Sequence, residues 1–454
     1  MPATDDWLTA PERQIVSLSV KGAGGRSMRL RRSAHGKRVL FTVSPFALVC
    51  FALLFPERAT AQFFQQGAKL VASGAIGSAQ VGNAVAVSAD GNTAITGGAG
   101  DSSNSGAAWI WTRSSGVWTQ QAKLVGSGAV GAANQGVSVA LAADGNTAIV
   151  GGQLDNAGVG AAWVWTRNGT VWTQQGNKLV GLGAGAGGAN QGFSVALSAD
   201  GNTAIVGGLK DNTFAGAAWV WTRSNETWSQ QGNKLVGTGA SSGGGAQGYS
   251  VALSADGNTA IVGGTFDNQN AGAVWVWVRS GSTWTQQGAK LVGSGASGPA
   301  QQGSSVAISA DGNTILVGGR DDGTVGAAWV WTRSGTLWAQ QGAKLVGPGA
   351  IGSSVQGDSV SLSSDGNTAI IGGPGDTSNA GAAWIWSRSG GVWTPQPGKI
   401  FGSGATGSST QGASVALSGE GRTAIIGGPL DNSKAGAVWV FTQPSPLRHR
   451  AASH

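Results

Sequence analysis

The phrase Ser-Ala-Asp-Gly-Asn-Thr, with its acid at Asp90, returns with small variations at Asp144, Asp200, Asp256, Asp311 and Asp365. It returns a seventh time around Glu420, and the spacings are 54, 56, 56, 55, 54 and 55 residues. A repeat of this size is one supersecondary module, which hides its apolar face only by stacking against copies of itself. The chain is therefore an array or a wheel, and a residue found in every unit is first of all structural.

The second unit reads as four short strands. Ser138 to Ala142 alternates and ends at Asp144-Gly145-Asn146, a tight hairpin turn. Thr147 to Val150 runs into Gly151-Gly152, and a polar loop then leads to Ala161 to Thr166. Trp163 and Trp165 share a face of that third strand, because side chains alternate along a strand. A second tight turn, Arg167-Asn168-Gly169-Thr170, precedes Val171 to Gln175. Four antiparallel strands make one small sheet, and seven sheets set radially predict an all-β, seven-bladed β-propeller.

The chain ends predict how the ring closes. Gln62 to Leu70 (Gln-Phe-Phe-Gln-Gln-Gly-Ala-Lys-Leu) matches the fourth-strand phrase Trp-Thr-Gln-Gln-Gly-Ala-Lys-Leu, whereas the last unit stops at its third strand, Ala437 to Phe441. The N-terminal strand is expected to complete the last blade, with seven copies of every strand and none left over. An open β-solenoid, the competing reading, would need more polar capping repeats at its ends. The propeller is placed at 62–443, followed by a short tail, 444–454.

Residues 1–61 stand outside the repeat. A basic cluster precedes an apolar run, Val39 to Phe55, and then Ala59-Thr60-Ala61, a small-x-small cleavage pattern. This reads as a signal peptide, with Met28 as an alternative start ahead of Arg29-Leu30-Arg31-Arg32. A membrane anchor is the rival, but the run is shorter than the ~20 residues that span a bilayer and contains Pro45. A secreted, periplasmic or cell-surface chain is expected, with no membrane insertion once the signal is cleaved. Nine of the 28 Lys and Arg and four of the 21 Asp and Glu lie in this leader, which leaves 19 against 17. The basic balance belongs mostly to the leader, so no nucleic-acid partner is expected. The one Cys, Cys50, also lies there, so the rest of the chain relies on its core rather than on disulfides.

Both turns of each unit, first-to-second and third-to-fourth, lie on one face and are tight. The opposite face carries the second-to-third loops and the links between blades, and most of the variation: Gln153-Leu154, Leu209-Lys210, Thr265-Phe266, Arg320-Asp321 and Pro429-Leu430 correspond. Loops on a rigid scaffold usually carry function, so a partner is expected there. Each of these loops holds an acid eleven residues after the turn acid: Asp101, Asp155, Asp211, Asp267, Asp322, Asp376 and Asp431. They form a candidate ligand-binding ring, against the plainer role of bonding their own loop backbones. Calcium is the one cofactor considered, and one Asp per loop is too few for its six to eight oxygens, so no cofactor and no metal site are expected. The turn acids and Arg113, Arg167, Arg223, Arg279, Arg333 and Arg388 are expected to pair within blades on the tight face.

Nineteen Trp follow the leader, three per unit in six units and Trp439 in the seventh. Regular placement argues for packing between blades. Trp118, Trp172, Trp228, Trp284, Trp338 and Trp393, on the outermost strands, are the candidates for sugar platforms.

With Gly-Gly-Pro at Gly372-Gly373-Pro374 and Gly427-Gly428-Pro429, and Gln-Gly ahead of Ser-Val-Ala, the unit resembles the FG-GAP repeats of integrin α-subunit propellers and of exported bacterial proteins. There Gly-Ala-Pro and Phe-Gly stand at these places. The resemblance spans the chain after the leader and implies a protein-binding or adhesion role. The family's acid-rich calcium loop is reduced here to Asp-Gly-Asn. Kelch repeats are the rival resemblance, with an apolar strand, Gly-Gly and then Trp, and give the same architecture.

The three His, His35, His449 and His454, lie outside all blades, which removes the usual general base and any Ser-His-Asp triad. Only Asp321, Asp358 and Glu226 break the repeat of acids. A non-enzymatic monomer that binds a protein or glycan is expected, with a multivalent lectin as the alternative and a hydrolase in the central channel as the least favoured reading.

Overall fold

The computed structural model describes residues 62–241 and 244–444. The signal peptide read in residues 1–61, and residues 445–454 of the tail, lie outside the described residues.

Seven four-stranded antiparallel sheets form a ring of blades. Blade 1 is β2 (Ala84–Val87), β3 (Thr93–Gly98), β4 (Ala107–Ser114) and β5 (Val117–Leu124), and blades 2 to 6 repeat it in chain order. Blade 7 takes β26 (Ser414–Leu417), β27 (Thr423–Gly428) and β28 (Ala437–Thr442) from the end of the chain and β1 (Phe64–Gln65) from its start. Phe64 pairs with Thr442 and Gln65 with Phe441, as the matched phrases predict. The seam is tied further along by Leu70 N–H to the Val438 carbonyl at 2.7 Å and by Lys69 to Asp431 at 2.6 Å.

A second closure runs around the channel. Ala89 N–H donates to the Ala143 carbonyl, and the chain of bonds continues through Ala199, Ala255, Ala310, Ser364 and Gly419 back to Ala89, at 2.8–3.1 Å. Seven main-chain bonds, one per blade, thus close a circle at the tight-turn end. An open array has no neighbour for its last member, so this circle is possible only in a ring.

Small residues let the blades approach. A Cβ on Gly151 would lie 2.0 Å from the Gly192 carbonyl oxygen of the next blade, and one on Gly126 would lie 2.2 Å from the Trp163 ring. The first Trp of each pair, Trp109, Trp163, Trp219, Trp275, Trp329, Trp384 and Trp439, is fully buried and fills the space between neighbouring sheets. Each gives its indole N–H to a carbonyl of the link entering its own blade, as Trp163 does to Ser127 at 2.8 Å. The polar tip of a buried Trp usually finds such a partner, although the N–H groups of Trp165, Trp221, Trp277 and Trp386 do not find one among the described residues.

The links are clamped by side-chain amides. Gln135 accepts from Gly126 N–H and donates to the Gly126 carbonyl, and Gln191, Gln247, Gln302, Gln356 and Gln411 do the same to their own glycines. Where Val81 replaces this Gln, Ala72 replaces the Gly. Blade 6 shows the same matching. Ser127 N–H bonds Gln174 in blade 2, but Pro348 has no N–H to give and Pro395 stands where the accepting Gln would be.

The turn acids organise the tight face locally. Burial alone would push the Asp90 carboxyl up, but the Ser88 hydroxyl, both Asn92 amides and the charge of Arg113 outweigh it and hold the group below the ordinary carboxylate range. Asp200, Asp256, Asp311 and Asp365 are held down in the same way. Blade 2 has Ala142 in place of the bonding Ser. A carboxylate depressed in the folded state stabilises above the unfolded pKa, about 3.9, and that contribution is lost as pH falls through the folded value. Acid unfolding is therefore expected to set in below about pH 4. Melting temperature followed against pH should show it, with a shallower acid limb in Asp256→Asn; an unchanged limb in that variant would place the proton uptake elsewhere.

The expected Arg pairing within blades is corrected by the structure. Arg113 gives Nε–H to the Asn92 amide oxygen at 3.0 Å, not to the turn acid, and reaches Gln66 at 3.1 Å and Thr423 at 3.3 Å on blade 7. The other five bond in the corresponding way to the preceding blade. The planar fork has enough donors to hold its own turn and its neighbour at once.

Candidate functional site

The seven loop acids are buried, each keeping no more than 2% of its surface. Asp155 shows the arrangement. One carboxylate oxygen accepts Val130 N–H from the link entering blade 2, at 2.7 Å, and the other holds the Lys178 ammonium at 2.5 Å. Asp101, Asp211, Asp267, Asp322, Asp376 and Asp431 do the same with Lys123, Lys234, Lys290, Lys344, Lys399 and Lys69. The loop they anchor is strained: Asn156 and Ala157 are left-handed, at φ 49° and 55°, and five other blades repeat the turn. Left-handed backbone costs non-glycine residues roughly 1–2 kcal/mol each, so it needs an external hold, which the Asp and Lys supply. Both carboxylate oxygens are thereby used inside the blade. Among the described residues, no three His, Cys, Asp or Glu gather into a group that could hold a metal ion.

The six outer-strand Trp are half-buried. Trp228 gives its N–H to Gln175 of the preceding blade at 2.9 Å and lies under Arg223, whose guanidinium is 5.4 Å from the ring centre. Trp118, Trp172, Trp284, Trp338 and Trp393 repeat this with Arg113, Arg167, Arg279, Arg333 and Arg388. One Gln oxygen thus receives both the Arg and the Trp of the next blade. The arrangement is a clasp between blades in which each ring carries a guanidinium.

The central channel is lined by the innermost strands, through Val, Leu, Ile, Ala, Ser and Gly alone, in two adjoining cavities of about 170 and 240 Å³. No titratable side chain lines either cavity. Glu226 sits on the tight face, in a polar cleft of about 490 Å³ with Arg167, Arg223 and Asn225.

Asp358 and Asp321 are brought together at the other end, by Arg320. Its Nη1 donates to Asp358 at 3.2 Å, its Nε donates to Gln301 at 3.2 Å and lies 3.9 Å from Asp321. Beside this group stands a row of three rings that sequence reading had not joined. Phe193 and Tyr249 touch, with centroids 4.9 Å apart, and Tyr249 meets Phe266 edge-on at 6.2 Å. Burial pushes the Asp358 carboxyl up, Arg320 offsets part of this, and the charge of Asp321 adds to it. The Tyr249 hydroxyl is likewise pushed up by burial.

The signal for this sector was in the sequence. The residue after each Gln-Gly, or Val-Gly in the first unit, is Asn83, Val137, Phe193, Tyr249, Ser304, Asp358 or Ala413, so the position never repeats. It sits at the start of the innermost strand, at the loop-rich mouth of the channel. In blade 4 that strand, β14 (Gln247–Leu253), carries an irregularity in register between Gln247 and Ser250, and bulges of this kind re-aim a side chain, here Tyr249. Neither a family model nor a curated protein matches the chain. Among the described residues, no helix is long and apolar enough to cross a membrane.

Proposed function

We propose that this chain is an exported, non-enzymatic scaffold of the FG-GAP kind that holds a protein or glycan partner on its loop-rich face, in an adhesion role. The observation that carries this reading is the broken symmetry. Every blade repeats the turn acid and the buried Asp–Lys tie, and six repeat the clasp, yet blades 3 to 6 place Phe193, Tyr249, Phe266, Arg320, Asp321 and Asp358 together at one side of the channel mouth. Aromatic residues and Arg are the side chains most enriched at the energetic centres of interfaces. Among the described residues, the tight face gathers no such row of aromatic rings, and its charged departures from the repeat lie at Glu226, Glu420 and Arg422. A lectin built on the outer Trp ring is the weaker reading, because each of those rings already carries an Arg and gives up its N–H.

A photo-crosslinking residue placed at 266, and separately at 226, tests the choice of face in the protein's native surroundings. Adducts are expected from position 266 and not from 226. Equal adducts from both, or adducts from 226 alone, would overturn it.

A further inference from the structure

The sector at the channel mouth carries more than a place for a partner; its chemistry narrows what the partner presents. Three features combine there. The first is an aromatic wall: Phe193 and Tyr249 are half-buried and Phe266 is 38% exposed, so each keeps part of its ring open. The second is a set of hydrogen-bonding groups with capacity left over. Among the described residues, Arg320 bonds through Nε and Nη1 and keeps Nη2, Asp358 accepts through one oxygen and keeps the other, and the Tyr249 hydroxyl has no side-chain partner. A donor, an acceptor and a hydroxyl that is both thus lie within one another's electrostatic reach. The third is charge, with Arg320 held between Asp321 and Asp358. An anionic ligand meets two carboxylates, and a cationic one meets the Arg320 guanidinium that already occupies them.

We infer that this sector is a single binding site for a neutral saccharide, one sugar ring lying against Tyr249 and Phe266 with adjacent hydroxyls bridging Arg320 and Asp358. A pyranose presents what the wall and the ion pair lack: an apolar C–H face for the rings, and vicinal hydroxyls that each donate and accept. An aliphatic ligand would leave the unused Nη2 and carboxylate oxygen desolvated and unpaired, which is costly. The site differs from a sevenfold lectin because it occurs once, where the repeat is broken. It rests on the proposed binding role of the loop-rich face and names the class of ligand.

Tyr249 is the only Tyr of the chain, so 3-fluorotyrosine labelling gives a protein with one ¹⁹F resonance, located in the site. The probes are methyl glycosides of glucose, galactose, mannose and N-acetylglucosamine, with N-acetyl-arginine amide, N-acetyl-lysine amide and acetate as controls. At least one glycoside is expected to shift the resonance saturably. Phe266→Ala and Asp358→Asn should each weaken that response at least tenfold, with melting temperature reported to confirm folding. Trp228→Phe, in the outer clasp, should leave it unchanged. A resonance that no glycoside moves, a response that survives both site variants, or a shift produced by the amino-acid amides instead would overturn the saccharide assignment. Adducts from position 266 would still stand in that case and point to a protein partner. Loss of both results would remove the loop-face reading itself.

Discussion

Asp155→Ala is expected to destabilise the wheel by about 3–5 kcal/mol, the range for removing one partner of a buried ion pair. The carboxylate is fully buried, while Lys178 keeps 19% of its side-chain surface, so the substitution strands an ammonium with little water and also frees Val130 N–H. It further releases a turn in which Asn156 and Ala157 are left-handed. Asp155→Asn keeps an oxygen for Val130 N–H but not the charge for Lys178, and should fall between wild type and Ala. Urea unfolding measures both: the midpoint should drop while the slope stays constant. A loss under about 1 kcal/mol for the Ala variant would mean that the pair is worth no more than an exposed one. Because the tie recurs in seven blades, Asp267→Ala should repeat the result.

How much of this was legible in the sequence follows from the repeat itself. Spacing, alternation and the two tight turns were enough for the blade, and the match between Gln62–Leu70 and the fourth-strand phrase was enough for the seam. These depend on local pattern and on counting. The clasp was not legible, because Arg113 meets Gln66 and Thr423 across a boundary that separates them by 47 and 310 residues. An Arg one turn away from an Asp reads as its partner; only the lateral offset between adjacent sheets shows that the neighbouring blade is closer. The loop acids were legible as a ring but not as buried, since burial there is created by the link from the preceding blade folding over them. The site at the mouth was half legible. Asp321 and Asp358 stood out as breaks in the repeat, yet nothing in the order of residues shows that Arg320 bridges them or that Phe193, Tyr249 and Phe266 from two blades form one row.

The two sets of Trp are expected to separate in their energetics, and the separation bears on function. Trp219→Ala should cost about 3–5 kcal/mol, as for other fully buried aromatic truncations. The ring is buried within a cluster that includes Ile149, Val164, Val195 and Val206, so residues of two blades surround the space it would leave. Its N–H bonds the Leu182 carbonyl at 2.8 Å, and Gly181 and Gly208 are glycines because a Cβ there would meet the indole at 2.2 and 2.8 Å. The backbone is thus shaped around the ring, and the two glycines have no side chain to move into its place. Trp228→Ala removes one hydrogen bond to Gln175 and one cation–π contact with Arg223 at the surface, and should cost about 1–2 kcal/mol. Thermal or urea denaturation of the two variants decides the matter. If Trp228→Ala proves as damaging as Trp219→Ala, the clasp holds the blades together as strongly as the core does, and its ring has no freedom to serve as a platform. If the two differ as expected, the outer rings can be removed without unfolding the wheel, and Trp228→Ala becomes a clean control for the mouth: saccharide binding that survives it belongs to Tyr249 and Phe266, not to the rim.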